Sequence, residues 1–132
     1  MRYLVRTCLV TVAGVLSCCP YVRGQEIHVV DSEGLALAVR AAAPGTTVLL
    51  APGEYRGGLH LEHILGTEQA PISIRAADPN EPPVFRGGGQ ALHLSDCSHV
   101  TLRHIRAEGF PSNGINIDDG GSFDTPAHHI LL

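Results

Sequence analysis

Leu92-His93-Leu94-Ser95-Asp96 and Ile115-Asn116-Ile117-Asp118-Asp119 decide the fold, because they write one pattern twice at an offset of 23 residues. In both, aliphatic and polar residues alternate, which is the period of a half-buried strand. The same kind of echo extends outward in both directions. Val48 and Leu50 precede Ile72 and Ile74 by 24 residues, and His99-Val100-Thr101-Leu102 returns as His129-Ile130-Leu131-Leu132 after 30. The last offset exceeds 23 by seven, and the run Asp119 to Ala127, with its Gly, Ser, Thr and Pro, holds the inserted loop. The step from Ile72 to Leu92 is 20, so the repeat reads as 20 to 24 residues. Short strands at such a spacing suit a coiled parallel β-structure, in which each turn stacks on the last and buries an aliphatic ladder.

Eight aliphatic strands after Thr46 fit this scheme: Val48 to Leu50, Leu59 to Leu61, Ile72 to Ile74, Val84 to Phe85, Leu92 to Leu94, Val100 to Leu102, Ile115 to Ile117 and Ile130 to Leu132. Gly, Pro, Asn or Asp bound them, as in Ala51-Pro52-Gly53, Arg86-Gly87-Gly88-Gly89 and Asp118-Asp119-Gly120-Gly121. Ahead of them lie a short strand, Ile27 to Val30, and a helix, Ser32 to Ala43. The helix has Asp31 and Ser32 as N-cap oxygens, Leu35, Val39 and Ala42 on one face, and Pro44-Gly45 as its stop. A two-sheet sandwich also has many short strands, but it needs hairpins, and Asn113-Gly114 is the only hairpin signal. The fold expected is therefore all-β, a parallel β-helix, and strand sterics favour right-handed crossovers for parallel connections.

The chain has 132 residues, with 15 glycines, nine prolines, no lysine, nine arginines and 13 acidic side chains, for a formal charge of -4. A net negative charge argues against sequence-independent nucleic-acid binding, which needs a cationic face. A hydrophobic fraction of 44% argues against disorder. Residues 1–24 have the parts of an export signal: Arg2 and Arg6, an apolar run from Thr7 to Cys19, and small Val22 and Gly24 before a cut. The apolar run is shorter than the roughly 20 residues a membrane span needs. Cys18 after Val15-Leu16-Ser17 makes a poor lipobox, the weaker alternative. Removing the signal leaves residues 25–132 with six arginines against 13 carboxylates, a formal -7. A divalent cation is one way to relieve such repulsion. Cys97 is then the remaining cysteine, expected as a small buried side chain.

The succession of an Ala-rich helix, Pro44 to Tyr55, Ala70 to Ala76, Leu92 to Arg106 and Gly114 to Gly120 resembles the N-terminal part of secreted right-handed parallel β-helix proteins. These include pectate-lyase-like enzymes and alginate or chondroitin lyases. The resemblance covers nearly all of the chain after the signal. It is specific for fold more than for substrate, because one scaffold hosts several activities. It implies that the helix plugs one end of the coil. It also implies an acidic polysaccharide as partner and a Lys or Arg as catalytic base. The sequence stops on Ile130-Leu131-Leu132 with no polar cap, so a fragment of about four coils is expected.

Outward-facing residues carry the candidate chemistry. Alternation turns His93 and Asn116 to solvent, one above the other, and Ser73 between Ile72 and Ile74 is expected to continue that column as substrate-binding positions. Asp96 matches Asp119 and Ser95 matches Asp118 at the offset of 23. Stacked carboxylates repel unless screened, protonated or bridged, so Asp96, Asp118, Asp119 and Asp124 are the candidate Ca²⁺ ligands. The alternative is that they are ordinary turn residues. The eight histidines read as solvated or stacked surface groups. His128 and His129, neighbours on a strand, are expected to point to opposite faces, and His60 and His63 to split across another. A uronate lyase must neutralise the substrate carboxylate, remove the C5 proton and protonate the leaving oxygen. Calcium would serve the first need. With no lysine present, Arg103 is the candidate base, ahead of Arg75 and Arg106, although a guanidinium needs a perturbed setting to act so. The readings are an exported Ca-assisted lyase when full length, a non-catalytic glycan-binding or cell-surface β-helix, or an inactive fragment.

Overall fold

The structure is a computed structural model that describes residues 24–121 and 124–132. The expected signal, Cys18 included, lies outside the described residues up to position 23. The elements in order are β1 (Glu26–Val29), α1 (Ser32–Ala41), β2 (Thr47–Leu50), β3 (Glu54–Arg56), β4 (Leu59–Glu62), β5 (Ile72–Ala76), β6 (Val84–Arg86), β7 (Leu92–Ser95), β8 (Ser98–Arg103), β9 (Arg106–Ala107), β10 (Ile115–Asp118) and β11 (His128–Leu131). They form three sheets: A, of β1-β2-β5-β8-β11; B, of β3-β6-β9; and C, of β4-β7-β10. Among the described residues every strand pairing is parallel, which is not the arrangement of a sandwich built from hairpins. From β2 onward the chain visits A, B and C in rotation and rejoins each sheet one strand further along.

The rungs stack like on like. In sheet C, Leu59, Leu92 and Ile115 form one ladder and Leu61, Leu94 and Ile117 the next. In sheet A, Val48, Ile74 and Leu102 lie in register, and in sheet B Tyr55 stands over Phe85 with ring centroids 5.1 Å apart. Apart from Ile117 at the last rung, which is exposed, these side chains join one apolar cluster together with Leu35 and Val39 of α1. Fully burying each such Leu or Ile contributes about 1.5–3 kcal/mol, so a three-rung ladder is a substantial part of the drive to coil. The N-cap of α1 is Asp31, whose Oδ1 accepts from Gly34 N at 2.7 Å, and the helix lays its apolar face against β1, β2 and β4. The Tyr55 hydroxyl ties this end together by donating to the carbonyls of Val29 and Ala51, both at 3.0 Å. Burial pushes the Tyr55 hydroxyl pKa up, and Asp31 adds to the rise.

Two register expectations hold and one does not. Leu92 pairs with Ile115 at the offset of 23, and Val100 pairs with Ile130 at 30. The seven extra residues sit where expected: two residues separate β7 from β8, and nine separate β10 from β11. By contrast Val48 pairs with Ile74, at an offset of 26, instead of with Ile72. The step from Ile72 to Leu92 joins different sheets and is no coil at all. True rung offsets run from 21, for Glu26 to Thr47, to 33, for Leu59 to Leu92, because corners of different length separate the strands. Strands β3 and β9 are additions to the expected set. They have three and two residues, too few for alternation to show in the sequence. Among the described residues, no helix is long and apolar enough to cross a membrane.

Candidate functional site

Sheet C turns its inward ladders to the core and a polar column outward. The column is His60, His93 and Asn116, which are mutual register partners on β4, β7 and β10. The His60 and His93 rings stack with centroids 4.3 Å apart at 17°. Outward residues recur every second position, so each column member also meets the residue two places on in the next strand. His60 Nε2 lies 2.6 Å from Ser95 Oγ, and His93 Nε2 lies 2.6 Å from Asp118 Oδ2. Asn116 Nδ2 donates to the same Asp118 oxygen at 3.3 Å, and Glu62 Oε1 lies 3.2 Å from His60 Nδ1. His60, Glu62, His93, Ser95 and Asp118 line an open depression of about 380 Å³ whose far rim is His63, Asp96, Gly120 and Gly121.

The corner after sheet C shapes that rim. His63 and Asp96 are its first residues on successive coils, and both adopt left-handed backbone, at φ 54° and 52°. Asp and His tolerate this region better than most residues with a β-carbon. Their side chains meet across the coils, Nδ1 of His63 standing 3.7 Å from Oδ2 of Asp96, and Thr125 Oγ1 donates to Asp96 Oδ1 at 3.0 Å. Gly120, at φ 65°, passes so close that a β-carbon there would sit 2.9 Å from Asp96 Oδ2. Asp118 Oδ1 accepts from Gly120 N at 2.9 Å. That bond, followed by the one from His93, lowers the Asp118 pKa below the usual carboxylate value.

His93 and Asn116 stand one above the other as expected. Ser73 does not join them. It lies on sheet A between Thr47 and Thr101, because the strand Ile72 to Ala76 follows a corner and enters a different sheet. The place assigned to Ser73 belongs to His60, and the echo of Leu59-His60-Leu61 in Leu92-His93-Leu94 is the signal that identifies it. Arg103 also lies on sheet A, exposed and in register with Arg75, away from the column. Sheet C itself contains no arginine. The candidate calcium ligands are not gathered. Asp118 and Asp119 each spend an oxygen on a turn N–H, from Gly120 and Gly121 respectively. Asp118 Oδ2 is taken by His93 and Asn116, and Asp96 Oδ1 by Thr125, while Asp124 sits exposed on the loop before β11. Among the described residues, these aspartates contribute to no group of three ligand atoms within 4.8 Å. Calcium wants six to eight oxygens, so this donor set does not fit it. The turn reading accounts for Asp118 and Asp119.

Two histidine expectations are corrected. His60 and His63 line one depression together, because His63 leaves the strand through left-handed backbone. His128 and His129 also lie on one side, with Nδ1 atoms 2.7 Å apart, because His129 at φ 54° breaks strand alternation. The stacked-surface reading does describe His60 with His93 and His99 with His129. Cys97 is fully buried; desolvation pushes its thiol pKa up.

No protein-family model matches the chain, and neither does any curated protein. Among solved structures it is similar to an alginate lyase from Paenibacillus sp. strain FPU-7, with 26% identity and a TM-score of 0.66, over 80% of this chain and 34% of that one. It is also similar to a variant of the PL6 family alginate lyase AlyGC, with 23% identity and a TM-score of 0.54, over 80% of this chain and 14% of that one. The chain thus spans about a third of the first protein's length. The second likeness is one of fold. Parallel sheets with one helix are consistent with the β-helix fold of such lyases.

Proposed function

We propose that this chain forms part of a right-handed parallel β-helix in an exported protein, and that its sheet C face meets an acidic, uronate-containing polysaccharide. The whole protein, on this reading, is a lyase that cleaves that polymer by β-elimination. The observation that carries the reading is the outward column of His60, His93 and Asn116, whose two histidines line a depression, on a fold shared with an alginate lyase. Helix α1 plugs one end of the coil, as its packing on β1, β2 and β4 suggests.

Elimination takes the proton from C5 of the uronate, moves that electron pair into a C4–C5 double bond, and releases the glycosidic oxygen from C4 with a proton. The column supplies binding and orientation. Asn116 Nδ2 and the His93 ring nitrogen that Asp118 does not engage face substrate carboxylate and hydroxyl oxygens, and His60, both of whose nitrogens are held by Ser95 and Glu62, offers the stacked face of its ring. Asp118, Glu62 and Ser95 hold those rings in place. No step is assigned to calcium at the four aspartates, since among the described residues they do not gather into one set of ligand oxygens. The base is not assigned to a sheet C strand, because those strands hold neither arginine nor lysine.

That last observation favours a second reading, in which this face binds glycan without cleaving it. One experiment separates the two. Protein containing this chain is incubated with alginate, polygalacturonate and a neutral glucan, and followed by the ultraviolet absorbance of unsaturated ends and by co-sedimentation. A lyase gives unsaturated product on a uronate polymer and none on the glucan, and His93→Ala with Asn116→Ala lowers the rate by at least about tenfold. Binding without product selects the second reading. Neither binding nor product on any uronate polymer overturns both.

A further inference from the structure

We propose that His99, His128 and His129 form a site for one divalent transition-metal ion of the zinc type, which clips two successive coils together. The site is separate from the sheet C column and does not depend on the glycan reading. It arises from a backbone device. Strands β8 and β11 pair with His128 opposite Ser98 and Ile130 opposite Val100, which sets His129 beside His99. Both residues adopt left-handed backbone, at φ 50° for His99 and 54° for His129. Alternation therefore fails at the same place on both coils, and three imidazoles that regular strands would scatter converge.

The rings of His99 and His129 stack at 4.5 Å and 18°, and His128 stands edge-on to both, at 5.3 Å and 4.9 Å. One ligand nitrogen from each ring lies within 4.8 Å of the other two, and no other such group of three occurs among the described residues. Neutral imidazole nitrogens suit zinc, copper and nickel, whereas calcium selects oxygens. Zn–N bonds of 2.0–2.1 Å in a tetrahedron hold two nitrogens about 3.3 Å apart. The Nδ1 atoms of His128 and His129 now stand 2.7 Å apart and share a proton. For both Nδ1 atoms to bind the ion, the neutral ring that donates takes up the other tautomer, its proton passing to Nε2 by exchange with water, and the gap opens by roughly 0.6 Å, which a small turn of the exposed His128 ring provides. Three protein ligands leave the fourth position to water. Because two ligands come from one coil and the third from the coil before, the bound ion joins β11 to β8 and favours the folded chain.

Zinc itself is the probe, added to the metal-stripped full chain and followed by calorimetry and thermal unfolding. One equivalent binds, excess calcium does not displace it, and Tm rises. His128→Ala, and His129→Asn, chosen because Asn accepts positive φ, each weaken binding by at least about tenfold. His28→Gln, on the exposed side of β1, leaves it unchanged. Side-chain nuclear magnetic resonance of the unaltered protein gives a reading independent of how the variants fold: the ring signals of His99, His128 and His129 move on adding zinc and those of His28 and His60 stay. Absence of stoichiometric zinc binding, undiminished binding in His128→Ala, or shifts centred on other histidines overturns the proposal.

Discussion

Truncating two buried rungs at different places along the coil gives unequal losses that follow from their neighbours. Ile74 is fully buried, and its register partners are also buried on both sides, Val48 at 0% exposure and Leu102 at 3%. The walls of the cavity left by Ile74→Ala cannot close, so the cost falls in the upper part of the range for such truncations, about 4 kcal/mol. Leu94 is equally buried, but it has Leu61 at 2% exposure on one side and Ile117 at 36% on the other. Ile117 is free to settle inward, so Leu94→Ala costs about 2.5 kcal/mol. His93→Ala, one residue away on the outward face, costs less than either, since it opens no cavity. Urea unfolding measures all three. With a slope near 2 kcal/mol per molar, the midpoints fall by about 2 M for Ile74→Ala and about 1.2 M for Leu94→Ala. A Leu94→Ala loss equal to or larger than that of Ile74→Ala, or a His93→Ala loss as large as that of Leu94→Ala, refutes the assignment of inward and outward faces.

Three further outcomes follow. Gly66→Ala places a β-carbon 2.4 Å from the His99 carbonyl oxygen and 2.9 Å from Ile72 N, both backbone atoms, so it destabilises by about 1–3 kcal/mol, read as a lower Tm. The depressed Asp118 pKa contributes stability that is present above its ordinary value of 3.8 and lost as pH falls through the lower folded value; Asp118→Asn therefore flattens the acid end of a midpoint-against-pH curve. Burial raises the Cys97 pKa, so its contribution is present below the ordinary value of 9.0 and lost as pH rises through the folded one, and native protein reacts with a thiol reagent far more slowly than protein in urea.

The ladders could be read from the sequence because strand alternation is a local signal, and an inserted loop shows as a shift in an otherwise matching offset. That is why Leu92 with Ile115, and His99 with His129, were identifiable together with the loop between them. Which sheet a strand enters is a different kind of fact. It depends on the corner before it, and corners here vary from the two residues between β7 and β8 to the nine between β10 and β11. Ser73 and Arg103 have the right local pattern for outward positions and face outward, but from sheet A. The aspartates likewise match in offset, yet hydrogen bonds to their own turns compete for the oxygens a cation would need. Turn chemistry of that kind is common for Asp before Gly.

Left-handed backbone at residues other than glycine connects the two candidate sites. His63, Asp96, His99, His104 and His129 all sit at φ between 50° and 55°. All five are residue types that accept the region with little strain. His63 and Asp96 meet beyond the column of sheet C, while His99 and His129 meet on sheet A. A regular strand would have alternated these groups between core and solvent, and a buried imidazole without a partner is costly. Placing the irregularity at the same rung on successive coils keeps the inward ladders aliphatic and gathers the imidazoles outside. The rim at His63 and Asp96 and the cluster at His99 and His129 thus depend on these left-handed positions, and substitutions that restore ordinary strand geometry there would remove them without disturbing the aliphatic ladders or the column of sheet C.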